Sequence, residues 1–193
     1  ERCRDNGVTY ENLLPGYVKP LEVMRLFGNF VRPSCSQLFD ELCTFGVVTL
    51  FERYLKNEHS VYEFGCGTGR FLHILGQFYP QKQLTGLDWT RSSQALLELI
   101  AKSGSLNLKA ARFDMLNPDT GFRLKPDSAV FTVGALEQLG SNFGPFLDYL
   151  LENKPSVVIH NEPIVDNYNP EVLFDHLAIS YHRRRNYLNG YIS

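Results

Sequence analysis

No apolar run in these 193 residues comes near the roughly 20 that a membrane-crossing helix needs, which excludes a helical span of that kind. Cysteine is scarce. Cys3, Cys35, Cys43 and Cys66 form no C-x-x-C pair and no zinc-type spacing, so reduced thiols in a cytoplasmic protein without a structural metal are expected. Charge of one sign is missing too. A formal net charge of −2 offers no general attraction to nucleic acid or to an anionic bilayer, and neither is expected as a partner. Repeats and low-complexity tracts are absent, which removes solenoids and long flexible linkers. The sequence begins at Glu1 without a methionine and shows no signal peptide, so an excised piece of a larger parent chain is expected. What remains is the composition of one globular domain with a substantial core, 44% apolar.

The most informative stretch is Glu63-Phe64-Gly65-Cys66-Gly67-Thr68-Gly69-Arg70. Ser60-Val61-Tyr62 before it has strand character, and Phe71-Leu72-His73-Ile74-Leu75 after it takes helical spacing. This is a strand, a glycine-rich turn and a helix start. Glycines at alternate positions clear side chains from the inner rim, so a ligand can lie against backbone N–H groups and the positive end of the helix. The dinucleotide fingerprint G-x-G-x-x-G needs its third glycine at 70, where Arg70 stands. Glu63 at the root of the turn suits a cationic or amino-bearing ligand and would repel a pyrophosphate. Leu84-Thr85-Gly86-Leu87-Asp88-Trp89 reads as a second strand ending in a carboxylate, Asp88, nineteen residues after Gly69. Ala111-Arg112-Phe113-Asp114-Met115 sets a further acidic residue after a third.

Glu-x-Gly-x-Gly-x-Gly, followed at these offsets by Asp88 and Asp114, resembles the motifs of the class I S-adenosylmethionine-dependent methyltransferases. The resemblance implies an α/β fold, a doubly wound and mostly parallel Rossmann-like sheet, with S-adenosyl-L-methionine as cofactor. It assigns cofactor binding to Glu63, Gly65, Cys66, Gly67, Gly69, Asp88, Trp89, Asp114, Met115 and Thr132. Asp88 would take the ribose hydroxyls, Asp114 would sit near the adenine amino group and Met115 against the ring.

From Val61 onward strands and helices alternate, the mark of a parallel sheet with covering helices. Strands are expected at Leu84–Asp88, Leu108–Arg112, Ser128–Val133 and Val157–His160, and helices at Gln94–Lys102, capped by Ser92 and Ser93, and at Phe146–Glu152. Pro170 opens a last helix through Val172, Leu173, Leu177 and Ile179. Residues 1–59 read as an N-terminal helical segment ahead of a Rossmann-like domain at 60–193. In it, Pro20 starts a helix over Leu21–Phe27 that Gly28 and Asn29 end, and Gln37–Lys56 repeats apolar residues at Leu38, Leu42, Phe45, Thr49, Leu50 and Tyr54. That segment is either a lid over cofactor and acceptor or a buttress on the sheet. The resembled fold closes with two more strands in a hairpin, for which Asn189–Ser193 leaves no room. A C-terminally incomplete sheet is therefore expected, its edge met by a homodimer partner or by a larger parent chain.

Methyl transfer from a sulfonium is an in-line displacement, so alignment of the acceptor and removal of its proton are the main demands. Ligands of open α/β sheets gather beyond the carboxyl ends of the strands, here Gly134-Ala135-Leu136-Glu137 and His160-Asn161-Glu162. His160 is a candidate base near neutrality, with Glu162, two residues on and on the same face if the strand continues, orienting it and raising its pKa. Glu137 is the third catalytic candidate. The plainer alternatives are a strand-end histidine bonded to backbone and a helix-capping glutamate. A metal on Glu137, His160 and Glu162 lacks the usual acidic ligand pattern, and none is expected. His182-Arg183-Arg184-Arg185 is either a phosphate clamp or a solvated face, and Tyr168, Tyr181, Tyr187 and Tyr191 either line an acceptor pocket or belong to the core. The expected activity is methylation of a small-molecule or glycan acceptor at a hydroxyl, with nitrogen and carbon acceptors open. The rival is a catalytically silent domain of this fold, a structural or interaction module of a larger protein.

Overall fold

The computed structural model describes residues 2–16, 22–35, 37–104 and 106–192. It begins with two short helices, α1 (Arg2–Asn6) and α2 (Tyr10–Leu13), the second capped by Thr9, whose hydroxyl accepts the Asn12 amide. The helix expected over Leu21–Phe27 is replaced by an antiparallel hairpin, β1 (Met24–Leu26) and β2 (Asn29–Val31). Pro20 and Leu21 lie outside the described residues. Phe27 and Gly28 both take positive φ, 48° and 76°, as a two-residue hairpin turn requires. The Gly28-Asn29 pair that reads as a helix stop is thus a turn signal.

Helix α3 (Leu38–Tyr54) has the expected period but presents the opposite face. Leu42 and Phe45 point outward, Phe45 with 71% of its surface exposed, while Asp40, Val47 and Phe51 are buried. The partners decide this: Asp40 reaches the Arg70 guanidinium, and Phe51 meets Phe131 edge-on with ring centroids 4.8 Å apart. With Val47, Phe51 and Leu55 in the main core, this helix is part of the packed body.

The remaining elements alternate except between β5 and β6, which no helix separates: β3 (Ser60–Phe64), α4 (Arg70–Phe78), β4 (Gln83–Asp88), α5 (Arg91–Gly104), β5 (Leu108–Arg112), β6 (Ser128–Val133), α6 (Gly144–Asn153), β7 (Val157–Asn161) and α7 (Leu173–Arg185). The five strands of the sheet run parallel in the order β5-β4-β3-β6-β7. Ser92 and Ser93 do not cap α5. They lie inside its first turn, and Thr90 stands at the cap, its hydroxyl accepting the Ser93 amide at 3.4 Å.

Strand pleating divides the interior in two. Val61, Ala129 and Phe131 face a core shared with α3, α4 and α5. Tyr62, Phe64 and Val130 face a second core with α6, where Phe64 lies 4.9 Å from both Phe113 and Phe146. Burying Phe64 completely is worth about 3 to 5 kcal/mol by the usual cost of truncating such a ring to alanine. The described residues hold no further strand beyond β7. After α7 the chain folds back instead, with Leu188 buried and the amides of Gly190, Tyr191 and Ile192 donating to the Asp166 carboxylate.

Candidate functional site

Parallel pairing of β3 with β4 and β6 brings three strand ends to one edge, and the glycine turn rises from the middle one. Its glycines take φ of +68°, +54° and +74° at 65, 67 and 69. Four amides of the turn are already engaged. Gly65 and Cys66 both donate to the Leu87 carbonyl at 2.8 and 3.1 Å, Gly67 donates to Asp88 Oδ2 at 3.0 Å, and Gly69 donates to the Cys66 carbonyl at 2.8 Å. The first three bonds tie the loop to β4, and the last closes the turn on itself. Two glycines have distinct reasons: a Cβ on Gly65 would fall within 3.0 Å of the Ala135 Cβ, whereas a Cβ on Gly67 would enter open space. The first permits the loop after β6 to touch the turn. The second marks the open rim.

Glu63 closes the root of the turn. Its carboxyl is buried, Oε2 has no partner, and burial pushes its pKa well up, against the pull of Arg70 and with a further push from Asp88. Burial also raises the Cys66 thiol, with Glu63 and Asp88 adding to it, so that side chain is an inert wall. Asp88 is nearly buried and serves the local backbone: Oδ1 accepts the Thr90 amide and hydroxyl, both at 2.8 Å, in addition to the Gly67 bond on Oδ2. Trp89 beside it is 69% exposed. Met115 reaches the turn, its Cε 3.4 Å from the position of a Gly65 Cβ. Asp114 is exposed and accepts the Leu116 amide at 2.9 Å, which shapes the turn after β5.

Beyond β6 the expected pairing of His160 with Glu162 does not form. Glu162 lies past the end of β7 and turns toward β6, accepting the amides of Ala135 and Glu137 at 3.1 Å each. It caps the 3-10 turn Leu136–Leu139 and so holds Glu137 in place. His160 Nδ1 meets the Thr132 hydroxyl at 2.9 Å, with its ring near Phe146 and Tyr191. Burial lowers its pKa to about 4, where Glu162 was expected to raise it. Thr132 is corrected as well: it has no exposed surface, and its hydroxyl is engaged by His160. Glu137 moves the other way. Burial, then the adjacent Glu162, raises it to about 7, and burial raises Glu162. A half-buried carboxyl that titrates near neutrality suits proton transfer.

One grouping escaped the sequence reading. Arg70 follows the last glycine of the turn and donates to Asp40 Oδ1 at 2.5 Å, while the Tyr10 hydroxyl bonds both Asp40 and Thr44. This buried network fastens α2 and α3 to the start of α4, and no local pattern links positions 10, 40 and 70. The late-chain tyrosines, read as either pocket lining or core, gather three of their number into an aromatic cluster. His182 is buried among Tyr168, Tyr181 and Tyr187, and the Arg25 guanidinium lies 3.8 Å over the Phe174 ring beside Asp175 at 3.3 Å. An open cavity of about 220 Å³ adjoins it between the hairpin and α7. Tyr187 feels the charge of Glu137, and Tyr191 that of Glu162, so this cluster borders the loop after β6.

No protein-family model matches the sequence, and no curated protein sequence matches it. Solved structures do match. Coclaurine N-methyltransferase, determined with N-methylheliamine and SAH, superposes with a TM-score of 0.51 at 20% identity, over 64% of this chain and 35% of that one. The methyltransferase domain of bacterial CtHen1-CN gives 0.51 at 22% identity, over 62% of this chain and 65% of that one. The [4+2]-cyclase SpnF gives 0.51 at 18%, over 64% and 44%. The aligned part is less than two thirds of each of these neighbours. With its parallel five-stranded sheet and the glycine turn at the central strand, the chain has the Rossmann-like fold of the class I methyltransferases.

Proposed function

We propose that this chain is an S-adenosylmethionine-dependent methyltransferase whose acceptor is a small molecule or a glycan carrying a hydroxyl. One observation carries the reading: the orphaned, buried Glu63 carboxyl oxygen stands two residues before a turn whose central glycine opens on empty space. That combination fits a ligand that brings an ammonium group. Glu63, Gly65, Cys66, Gly67, Gly69, Asp88, Trp89, Asp114 and Met115 would hold the cofactor, which supplies a methyl group on a sulfonium sulfur. An ammonium beside Glu63 would return its carboxyl to the charged form. Asp88 already accepts three hydrogen bonds, so taking both ribose hydroxyls requires one of them to open. The Thr90 hydroxyl is the natural one, since it also lies 2.8 Å from the Ser93 hydroxyl.

The proton role passes from His160 to Glu137. A histidine whose pKa is held near 4 is a weak base at neutral pH, while a carboxyl near 7 is matched to the task. Glu162 acts through Glu137 by holding its loop. The neighbour named as a cyclase supports keeping the silent or non-methylating reading as the alternative, because it shares the fold and not the named reaction.

Calorimetry with S-adenosylhomocysteine tests the reading. Asp88→Ala should weaken binding by about 2 to 3 kcal/mol, the range for hydrogen bonds to a charged group. No binding by the unaltered protein would refute the cofactor assignment. Binding without label transfer from radioactive S-adenosylmethionine to any lysate fraction would favour the silent module.

A further inference from the structure

Helix α7 is apolar on two opposite faces. Ala178, Ile179 and His182 face inward and are buried, with His182 packed 5.5 Å from the rings of both Tyr168 and Tyr187. On the outer face Leu173, Leu177 and Tyr181 recur every fourth residue and are 73%, 50% and 51% exposed. Residues at that spacing form one stripe along a helix. Phe30 of the hairpin, itself half exposed, lies against Phe174 with centroids 4.8 Å apart and widens the stripe. The inward face is covered by this chain and the outer stripe is not, and a continuous exposed apolar strip marks an interaction surface.

The charges on the same helix point to what covers it. Glu171, just before its first turn, is exposed, and Arg183, Arg184 and Arg185 end it, exposed and in no ion pair among the described residues. A helix with acid at one end, base at the other and an apolar stripe centred between them is complementary to itself when antiparallel. We propose that the outer face of α7 pairs with the same face of a second copy of this chain about a two-fold axis at Leu177. Leu177 then meets its own counterpart, Leu173 meets the partner's Tyr181, and the Glu171 end lies along the partner's arginine end. Antiparallel packing also sets opposite helix dipole ends side by side. Two-fold pairing through one self-complementary patch is the commonest form of protein association. One helix pair flanked by a hairpin lies at the small end of specific interfaces, so dissociation on the order of micromolar is expected.

Sedimentation equilibrium of the intact chain between about 1 and 200 μM tests this, bracketing that micromolar value. A monomer–dimer equilibrium is expected for the unaltered protein. Leu177→Glu sets two carboxylates against each other on the axis and should weaken association by tenfold or more. Its exposed position leaves the melting temperature unchanged, which thermal unfolding checks. Arg184→Glu should weaken association, and adding Glu171→Arg to the same chain should restore it. A monomer at 200 μM, or a dimer indifferent to Leu177→Glu, would overturn the proposal. So would a chain that stays monomeric in solution yet sediments with vesicles containing phosphatidylserine, which would assign the stripe and its arginines to a lipid surface.

Discussion

Replacing Gly65 by alanine probes the contact that brings the loop after β6 against the glycine turn. Two costs are separable. The φ of +68° is left-handed, and a Cβ there costs about 1 to 2 kcal/mol. The new Cβ would also lie within 3.0 Å of the Ala135 Cβ, where carbon atoms ordinarily keep roughly 3.5 to 4 Å, so backbone must move, at about 1 to 3 kcal/mol. The sum, roughly 2 to 5 kcal/mol, is a large share of the 5 to 15 typical of a domain. Urea unfolding should show a lower midpoint with the slope unchanged. Ala135→Gly by itself should cost about 0.5 to 1 kcal/mol through backbone freedom. Combined with Gly65→Ala, it should recover the steric part and leave the φ strain, a favourable coupling of at least 1 kcal/mol in the double-mutant cycle. Additive single effects would mean that residues 65 and 135 are not in contact, and the juxtaposition of the glycine turn with Glu137 would fall with it.

Three other expectations can be measured on single variants. Glu137 has its native pKa raised to about 7 from 4.5, so the native state holds the proton longer and this group destabilises the fold as pH rises from 4.5 to 7. Glu137→Gln should therefore raise stability at pH 7.5, by up to about 3 kcal/mol, while lowering single-turnover methylation by roughly 10² to 10⁴. A destabilised Glu137→Gln protein with full turnover would refute both halves. His160 has its native pKa lowered to about 4 from 6.5, so the unfolded chain takes the proton first and stability is lost as pH falls from 6.5 to 4. His160→Gln should remove up to about 3 kcal/mol of that acid sensitivity, leaving the opposing slope from Glu137; an unchanged stability profile between pH 4 and 6.5 would exclude a buried neutral His160. Arg70→Ala leaves Asp40 nearly buried without its cation and should cost about 3 to 5 kcal/mol, with faster proteolysis of residues 1–59 than of the sheet. Loss below 1 kcal/mol would show that the network does not fasten the N-terminal segment.

The sequence by itself determined what depends on neighbours along the chain. Strand, glycine turn and helix at 60–78 are legible because a turn with three positive φ angles needs glycine there, and the periods of two and of about four around it come from backbone geometry alone. The alternation after Val61 determined the parallel sheet, since each helix must cover a strand. Face and partner were decided only in three dimensions. The apolar stripe through Leu42 and Phe45 has the right period in α3 yet points outward, because Asp40 is drawn inward by Arg70 thirty residues later. Positions 160 and 162 suggest a paired base, but Glu162 bonds the amides of Ala135 and Glu137, which β6 brings alongside, and His160 is left to Thr132. A carboxylate goes to whichever donors the fold sets beside it, and those donors lie 25 and 27 residues away in the chain.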